Sequence, residues 1–233
     1  MLPRIRGMRA LFCGVVGETD RPGRSVFEDH PDVGGWRAEA FEMMVACPDV
    51  DFQLLTKRPE NILRFVPPTW VTGWPVNVWM GTTVEDQVRA DERLPHLLDI
   101  PASVRFLSCE PLLGMIDLRL GERESCPEWI IIGGESGAGA RPMHPEWAYY
   151  LRIQARKHEV AAWFKQWGEW APAEGLTLAT HHLSIGGVLH PVGEGRYVEI
   201  GDARIARVGR AKAGHLLAGE EIHEWPATRE VVS

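Results

Sequence analysis

Short apolar runs recur along the chain, and each stops abruptly at a polar, charged or glycine-rich cluster. Phe52–Leu55 gives way to Thr56-Lys57-Arg58-Pro59, Val76–Met80 to Gly81-Thr82-Thr83-Val84-Glu85, and Val104–Leu107 to Ser108-Cys109-Glu110-Pro111. Trp129–Ile132 runs into Gly133-Gly134-Glu135-Ser136-Gly137, and Val160–Phe164 into Lys165-Gln166-Trp167-Gly168-Glu169. Runs this short read as strands. Trp129–Ile132, aromatic or β-branched throughout, suits a strand buried on both faces. Helical periodicity fills the gaps. Trp36, Ala40, Met43, Met44 and Cys47 share one face and predict a helix that Pro48 ends. Pro59 opens a short helix through Phe65, halted by Pro67-Pro68. Thr83 suits the cap of a helix near Val84, with Asp86 as a short-armed capping-box partner, and Pro95 breaks or kinks that helix. His144-Pro145 opens a helix to about His158.

With Ala10–Val16 as the first strand, this makes about six strand–helix steps at roughly the ~30-residue βαβ length. Alternation of this kind predicts an α/β fold with a mostly parallel sheet. Ligands in such folds collect at the carboxyl ends of strands, so the polar clusters predict one rim built from separate loops. The pattern changes after Trp170. Residues 1–170 form the α/β body. Residues 171–233, rich in Gly, His and short β-prone pieces such as Gly195–Ile200, read as an irregular tail with a hairpin and a short helix at Ala211–Leu217.

Composition narrows the function. The 233 residues carry a formal net charge of −7, which argues against nucleic-acid binding by bulk electrostatics and leaves a local basic groove open. No apolar run approaches about 18 residues, so no membrane span is expected. Met1–Arg9 is basic but lacks the apolar core of a secretory signal. Cys13, Cys47, Cys109 and Cys126 are scattered, without metal-binding spacing. Reduced thiols in a cytoplasmic protein fit best.

Several clusters carry chemistry. Gly133-Gly134-Glu135-Ser136-Gly137 follows a strand and precedes a helix. Glycines there allow close backbone approach, and free N–H groups can cradle an anion. A tight βα turn with Glu135 solvated explains the same residues. Arg141, just beyond, suits a carboxylate or phosphate. Lys57 and Arg58 end a strand as adjacent cations. They read as an anion clamp or as a surface pair at a helix start, and the second option opposes the helix dipole. Cys109 lacks a local base and reads as a small buried residue. Glu110 is the stronger candidate, a carboxylate able to bind an amine or hydroxyl or to act as a base. Lys165, in a segment with Gln166, Glu169 and two indoles, could meet a ligand on which Trp167 or Trp170 stacks; packing by the indoles is an equal reading. His181 and His182 face opposite sides of a strand, so they do not share a metal.

LLTKRPENI, NVWMGTTVEDQ, RFLSCEPLLG, WIIIGGESGAGARPMHPEW and WFKQWGEW, in this order, resemble the phage-associated gene-product-37/68 family, a radical-SAM-like group also described as a domain of unknown function. RVGRAKAGHLLAGEEIHEWP resembles that family's C-terminal end. The resemblance implies a (β/α) TIM-like barrel, here a partial one of about six strands with the tail packed on it. It also implies S-adenosylmethionine as ligand and a three-cysteine loop holding a [4Fe–4S] cluster. That loop and roughly two strand–helix units have no counterpart here, so the chain reads as N-terminally truncated relative to the family. A barrel short of two staves exposes two strand edges, which the tail or another polypeptide must cover.

Three functional readings follow. The first is a radical-SAM-like barrel binding an S-adenosylmethionine-like or nucleotide-like small molecule at the strand ends. Glu110 and Lys57 are its candidate catalytic groups; Gly133, Gly134, Glu135, Ser136, Arg141, Arg58 and Lys165 are its candidate binding groups. The second is a non-catalytic accessory protein partnering a nucleic-acid-modifying enzyme. The third, a hydrolase using Glu110 and Glu135 with a divalent metal, lacks His-carboxylate spacing and ranks last.

Overall fold

A computed structural model describes residues 14–15, 26–27, 29, 33–172, 190–192, 197–201 and 203–227. The chain divides into two compact units. One comprises residues 1–83, 93–106 and 227–233; the other comprises residues 84–92 and 107–226. The β-prone piece at Gly195–Ile200 lies partly outside the described residues, as do His181 and His182 entirely.

The first unit holds β1 (Gly14–Val15), α1 (Val33–Ala46), β2 (Phe52–Thr56), α2 (Ile62–Phe65), α3 (Pro68–Thr72) and β3 (Val78–Thr83). β1 pairs parallel with β2, and β2 with β3. The helix α1 buries Val33, Phe41 and Met44, and leaves Trp36 62% and Met43 47% exposed. Of the expected face, Met44 is buried and Ala40 and Cys47 are half-buried, while Trp36 and Met43 point outward. Both stripes satisfy helical periodicity, and only packing chooses between them. Asn77 closes the end of this helix. Its buried amide donates to the carbonyls of Met44, Cys47 and Val50 at 2.9, 3.1 and 3.1 Å, satisfying acceptors that a helix terminus leaves open.

Two elements straddle the division, α4 (Gln87–Leu98) and β4 (Arg105–Cys109). Asp86, not Thr83, caps α4: its carboxylate accepts from the Arg89 N–H at 2.9 Å. Thr83 is still in β3, and Pro95 is accommodated inside the last turns of α4.

The second unit contributes β5 (Trp129–Gly133), α5 (Pro145–Lys157), β6 (Ala161–Gln166), β7 (Trp170–Pro172), β8 (His190–Val192), β9 (Tyr197–Ile200), β10 (Ala203–Arg207), α6 (Arg210–Ala213), β11 (Leu216–Leu217) and β12 (Glu220–Glu221). β5 and β6 are parallel. His144 caps α5 by accepting from the Glu146 N–H at 3.1 Å. The segment after β4 has little regular structure yet buries Leu112, Ile116, Leu118 and Leu120. The buried Gln154 amide pairs with the Leu118 N–H and the Ile116 carbonyl at 2.7 and 2.8 Å, satisfying two backbone groups of this segment inside the core. After β6 the stretch expected to be irregular forms an antiparallel sheet in the order β7-β10-β9-β8.

The parallel ladder has the order β1-β2-β3-β4-β5-β6 and is mixed with helices, as the α/β expectation requires. In the second unit β6 is the last strand of that ladder. Its far edge is taken by the chain's own tail. Phe164 N–H donates to Ile222 O at 2.8 Å and Glu224 N–H to Ala162 O at 2.9 Å. The Glu224 carboxylate accepts from Ala162 N–H at 3.0 Å and takes both Arg152 Nη atoms at 2.8 and 2.6 Å. Trp225 stacks on Trp129 at 5.0 Å and His223 on Trp163 at 4.0 Å. An unpaired edge is a template for association, and this strap removes one.

Candidate functional site

The polar rim begins inside the strands. Thr56, Gly81-Thr82-Thr83, Ser108-Cys109, Gly133 and Lys165-Gln166 all belong to strands, not to the loops the sequence pattern suggested. In the second unit this brings three strand ends onto one carboxylate. β4 stops at Cys109, so Glu110 is the first residue past it. Its side chain lies across Gly133, the last residue of β5: a Cβ there would sit 3.2 Å from the Glu110 Cγ, Cδ and Oε1. From β6, Lys165 Nζ approaches Glu110 Oε2 at 2.8 Å and Gln166 Nε2 donates to Oε1 at 3.1 Å.

Successive residues of a regular strand point to opposite faces, so Lys165 and Gln166 should not meet the same group. The β5–β6 register resolves this. Ile132 pairs with Phe164 but Gly133 pairs with Gln166, leaving Lys165 as the extra residue of a bulge. A bulge re-aims side chains locally, and here both neighbours converge on Glu110. Gln166 Nε2 also reaches Ser136 Oγ at 3.1 Å. Glu110 is mostly covered, with 20% of its side chain exposed, while Lys165 keeps 53%.

Two glycines lock this region backbone to backbone. A Cβ on Gly134 would lie 1.9 Å from the Trp167 carbonyl oxygen. One on Gly168, already at φ +84°, would lie 2.1 Å from the Glu135 oxygen. The gain is a pair of short bonds, Gly134 N–H to Gln166 O and Glu169 N–H to Glu135 O, each 2.9 Å.

The glycine-rich turn does not offer all the free N–H groups expected of an anion cradle. Gly134 N–H is taken by Gln166 O, and Gly137 N–H by the Glu169 carboxylate at 3.2 Å. Glu135 is not simply solvated, 24% of its side chain being exposed. Arg141 grips it with Nε and Nη2 at 2.8 and 2.7 Å, and its backbone N–H adds a third bond at 2.7 Å. The Arg141 hydrogen bonds hold the Glu135 carboxyl below the usual carboxylate range. Arg141 thus has an internal partner. Lys57 and Arg58 follow β2 in the first unit, where the Thr56 hydroxyl accepts from Arg58 N–H at 3.0 Å. The structure therefore assembles Glu110, Gly133, Ser136 and Lys165 at one place, with Glu135 and Arg141 paired alongside.

Gln166, Glu169 and Arg207 belong to the same constellation and were not among the expected site residues. Consecutive polar residues at a strand end were a usable signal for Gln166, since they break the alternation. Arg207 had none: its contact with the turn spans 69 residues of sequence.

A [4Fe–4S] cluster needs three thiolates converging, and the described cysteines do not supply them. Cys109 is fully buried in β4, and burial pushes its thiol up, away from the thiolate form. Cys47 lies in the first unit, and Cys126 contacts the Leu120 carbonyl. Among the described residues no group of three or more His, Cys, Asp or Glu is placed to hold a metal ion. No helix there is long and apolar enough to cross a membrane.

Fold and site together define a mixed α/β protein with a largely parallel ladder and a polar constellation at the carboxyl ends of β4, β5 and β6. Residues 26–226 match the family described as "Protein of unknown function (DUF5131)", and the chain belongs to that family. Searches of curated proteins and of solved structures gave no match.

Proposed function

We propose that this chain is a radical-SAM-like partial-barrel protein of phage-associated descent that binds an S-adenosylmethionine-like ligand at the strand carboxyl ends. The observation that carries the reading is the convergence of Lys165 and Gln166 on Glu110 above Gly133. An ammonium and a carboxylate stand side by side there, and neither is saturated. Lys165 has three N–H bonds and Glu110 about four lone-pair directions, of which the internal contacts use few. An α-amino-acid head group is the complement of this pair, its ammonium meeting Glu110 and its carboxylate meeting Lys165 and the Ser136 hydroxyl. S-adenosylmethionine carries such a head. A plain nucleotide offers Lys165 a phosphate but sets a like charge against Glu110, so it fits less well.

Calorimetric titration tests this directly. S-adenosylmethionine should give heat with a one-site isotherm, and ATP should bind more weakly. Absence of heat at millimolar S-adenosylmethionine overturns the reading.

A second reading is a non-catalytic accessory protein working beside a nucleic-acid-modifying enzyme. The burial of Cys109 favours it. Anaerobic iron–sulfur reconstitution separates the two: a colourless protein supports the accessory role, and a brown one with charge-transfer absorbance refutes it.

A further inference from the structure

We infer that Arg207, on β10 of the antiparallel sheet, is a positioning residue that sets the outer half of the glycine-rich turn for ligand binding; this rests on the ligand reading above. Within the turn the Ala140 N–H donates to Gly137 O at 3.2 Å; the other contacts that hold residues 137–139 come from outside it. Gly137 sits at φ +104°, and a Cβ at Gly137 or Gly139 would meet nothing within 4 Å. Side-chain packing therefore does not define residues 137–139. Polar contacts do. Arg207 Nη2 donates to Ala138 O at 2.6 Å and to Gly137 O at 3.2 Å. The Glu169 carboxylate accepts from Gly137 N–H at 3.2 Å.

Arg207 is itself well placed. β10 pairs with β7 so that Arg207 lies opposite Trp170, and its guanidinium stands 5.8 Å from the centre of that indole. Trp170 Nε1 donates to Ala140 O at 2.7 Å, fixing the far end of the turn. Val208 and Gly209 N–H groups both donate to Glu169 O at 3.0 Å. One strand end thus grips the turn and the residue that restrains it.

Peptide planarity gives the consequence. In a trans peptide the C=O and the following N–H point in opposite directions. With the Gly137 and Ala138 carbonyls drawn to Arg207, the N–H groups of Ala138 and Gly139 point away from it. Arg207 thereby aims two donors that suit neutral acceptors of the ligand, a ribose oxygen or an adenine nitrogen, while its carboxylate stays with Lys165 and Ser136. The C-terminal sheet becomes part of the binding apparatus.

The test compares wild type, Arg207→Ala and Arg207→Lys by S-adenosylmethionine calorimetry, thermal melting and amide exchange in the full chain. For Arg207→Ala, losing these two bonds should weaken binding about tenfold and speed exchange about tenfold at Gly137 and Ala140, the amides bonded in the turn. The melting temperature should move by less than about 4 °C, as for an exposed contact. Arg207→Lys, which keeps a cationic donor, should recover most of the affinity. Unchanged affinity in Arg207→Ala overturns the inference, and so does a loss that tracks melting temperature and is not rescued by lysine. If wild type itself shows no binding, the ligand reading falls. The exchange rates then still report whether Arg207 holds the turn.

Discussion

Lys165 and Glu110 meet at 2.8 Å across a separation of 55 residues, and the contact exists because a bulge in β6 turns the lysine toward a side chain lying over Gly133. The pair is partly exposed, and such pairs contribute about 0–1 kcal/mol to stability. Its role in binding should therefore separate cleanly from its role in folding. Glu110→Gln and Lys165→Met should each lower S-adenosylmethionine affinity at least about tenfold, while urea midpoints stay close to wild type. A large drop in stability with intact affinity would contradict the proposed site.

The glycine lock predicts a graded series. Gly134→Ala and Gly168→Ala place a methyl into backbone atoms that cannot yield, so each should cost about 2–4 kcal/mol. Gly139→Ala meets open space with an ordinary φ and should be neutral or stabilising by up to about 1 kcal/mol. Urea unfolding of the three variants checks the order.

Asn77 is a stability site remote from any chemistry. One amide serves three carbonyls at the end of α1 and the loop after it. Asn77→Ala should cost about 1–3 kcal/mol by stranding buried acceptors. Circular dichroism melts would show it.

Acid sensitivity should carry the signature of Glu135. Arg141 lowers the folded-state pKa of Glu135 below the unfolded value of about 4.3. The stabilisation is then complete above that unfolded value and disappears as pH falls through the folded one. Between about pH 5 and pH 3 wild type should lose stability more steeply than Glu135→Gln. Parallel urea midpoints across that range would refute the linkage.

The strap predicts behaviour at the sheet edge. A chain ending at Glu221 uncovers β6 and removes the Arg152–Glu224 pair. It should self-associate in light scattering at concentrations where the full chain does not.

The particular residues show why some of this was readable in the sequence. Apolar runs announced every strand from β2 to β6, because burial on both faces demands continuous hydrophobicity. Strand ends were placed too early, because Thr82 and Ser108 are polar yet buried within the ladder. The Thr82 hydroxyl donates to Thr56 O at 2.8 Å, a partner invisible to local pattern. Glu110 and Lys165 were legible as polar groups at strand ends. Their meeting was not, since a one-residue bulge leaves no periodic trace. Glu135 and Arg141 were both singled out, but separately, as ligand groups; only coordinates reveal that each neutralises the other. After Trp170 the β-prone piece at Gly195–Ile200 was legible and overlaps β9, while the four-stranded sheet around it was not, its strands being short and spread among glycines.

The tail strap also sets a timetable. Glu224 reaches Ala162 across 62 residues, so on the ribosome β6 emerges well before its border strand exists. At ~5–20 residues per second, the nascent sheet stands open for roughly 3–12 s. Through that interval β6 presents an edge open to association, which the last residues of the chain later close.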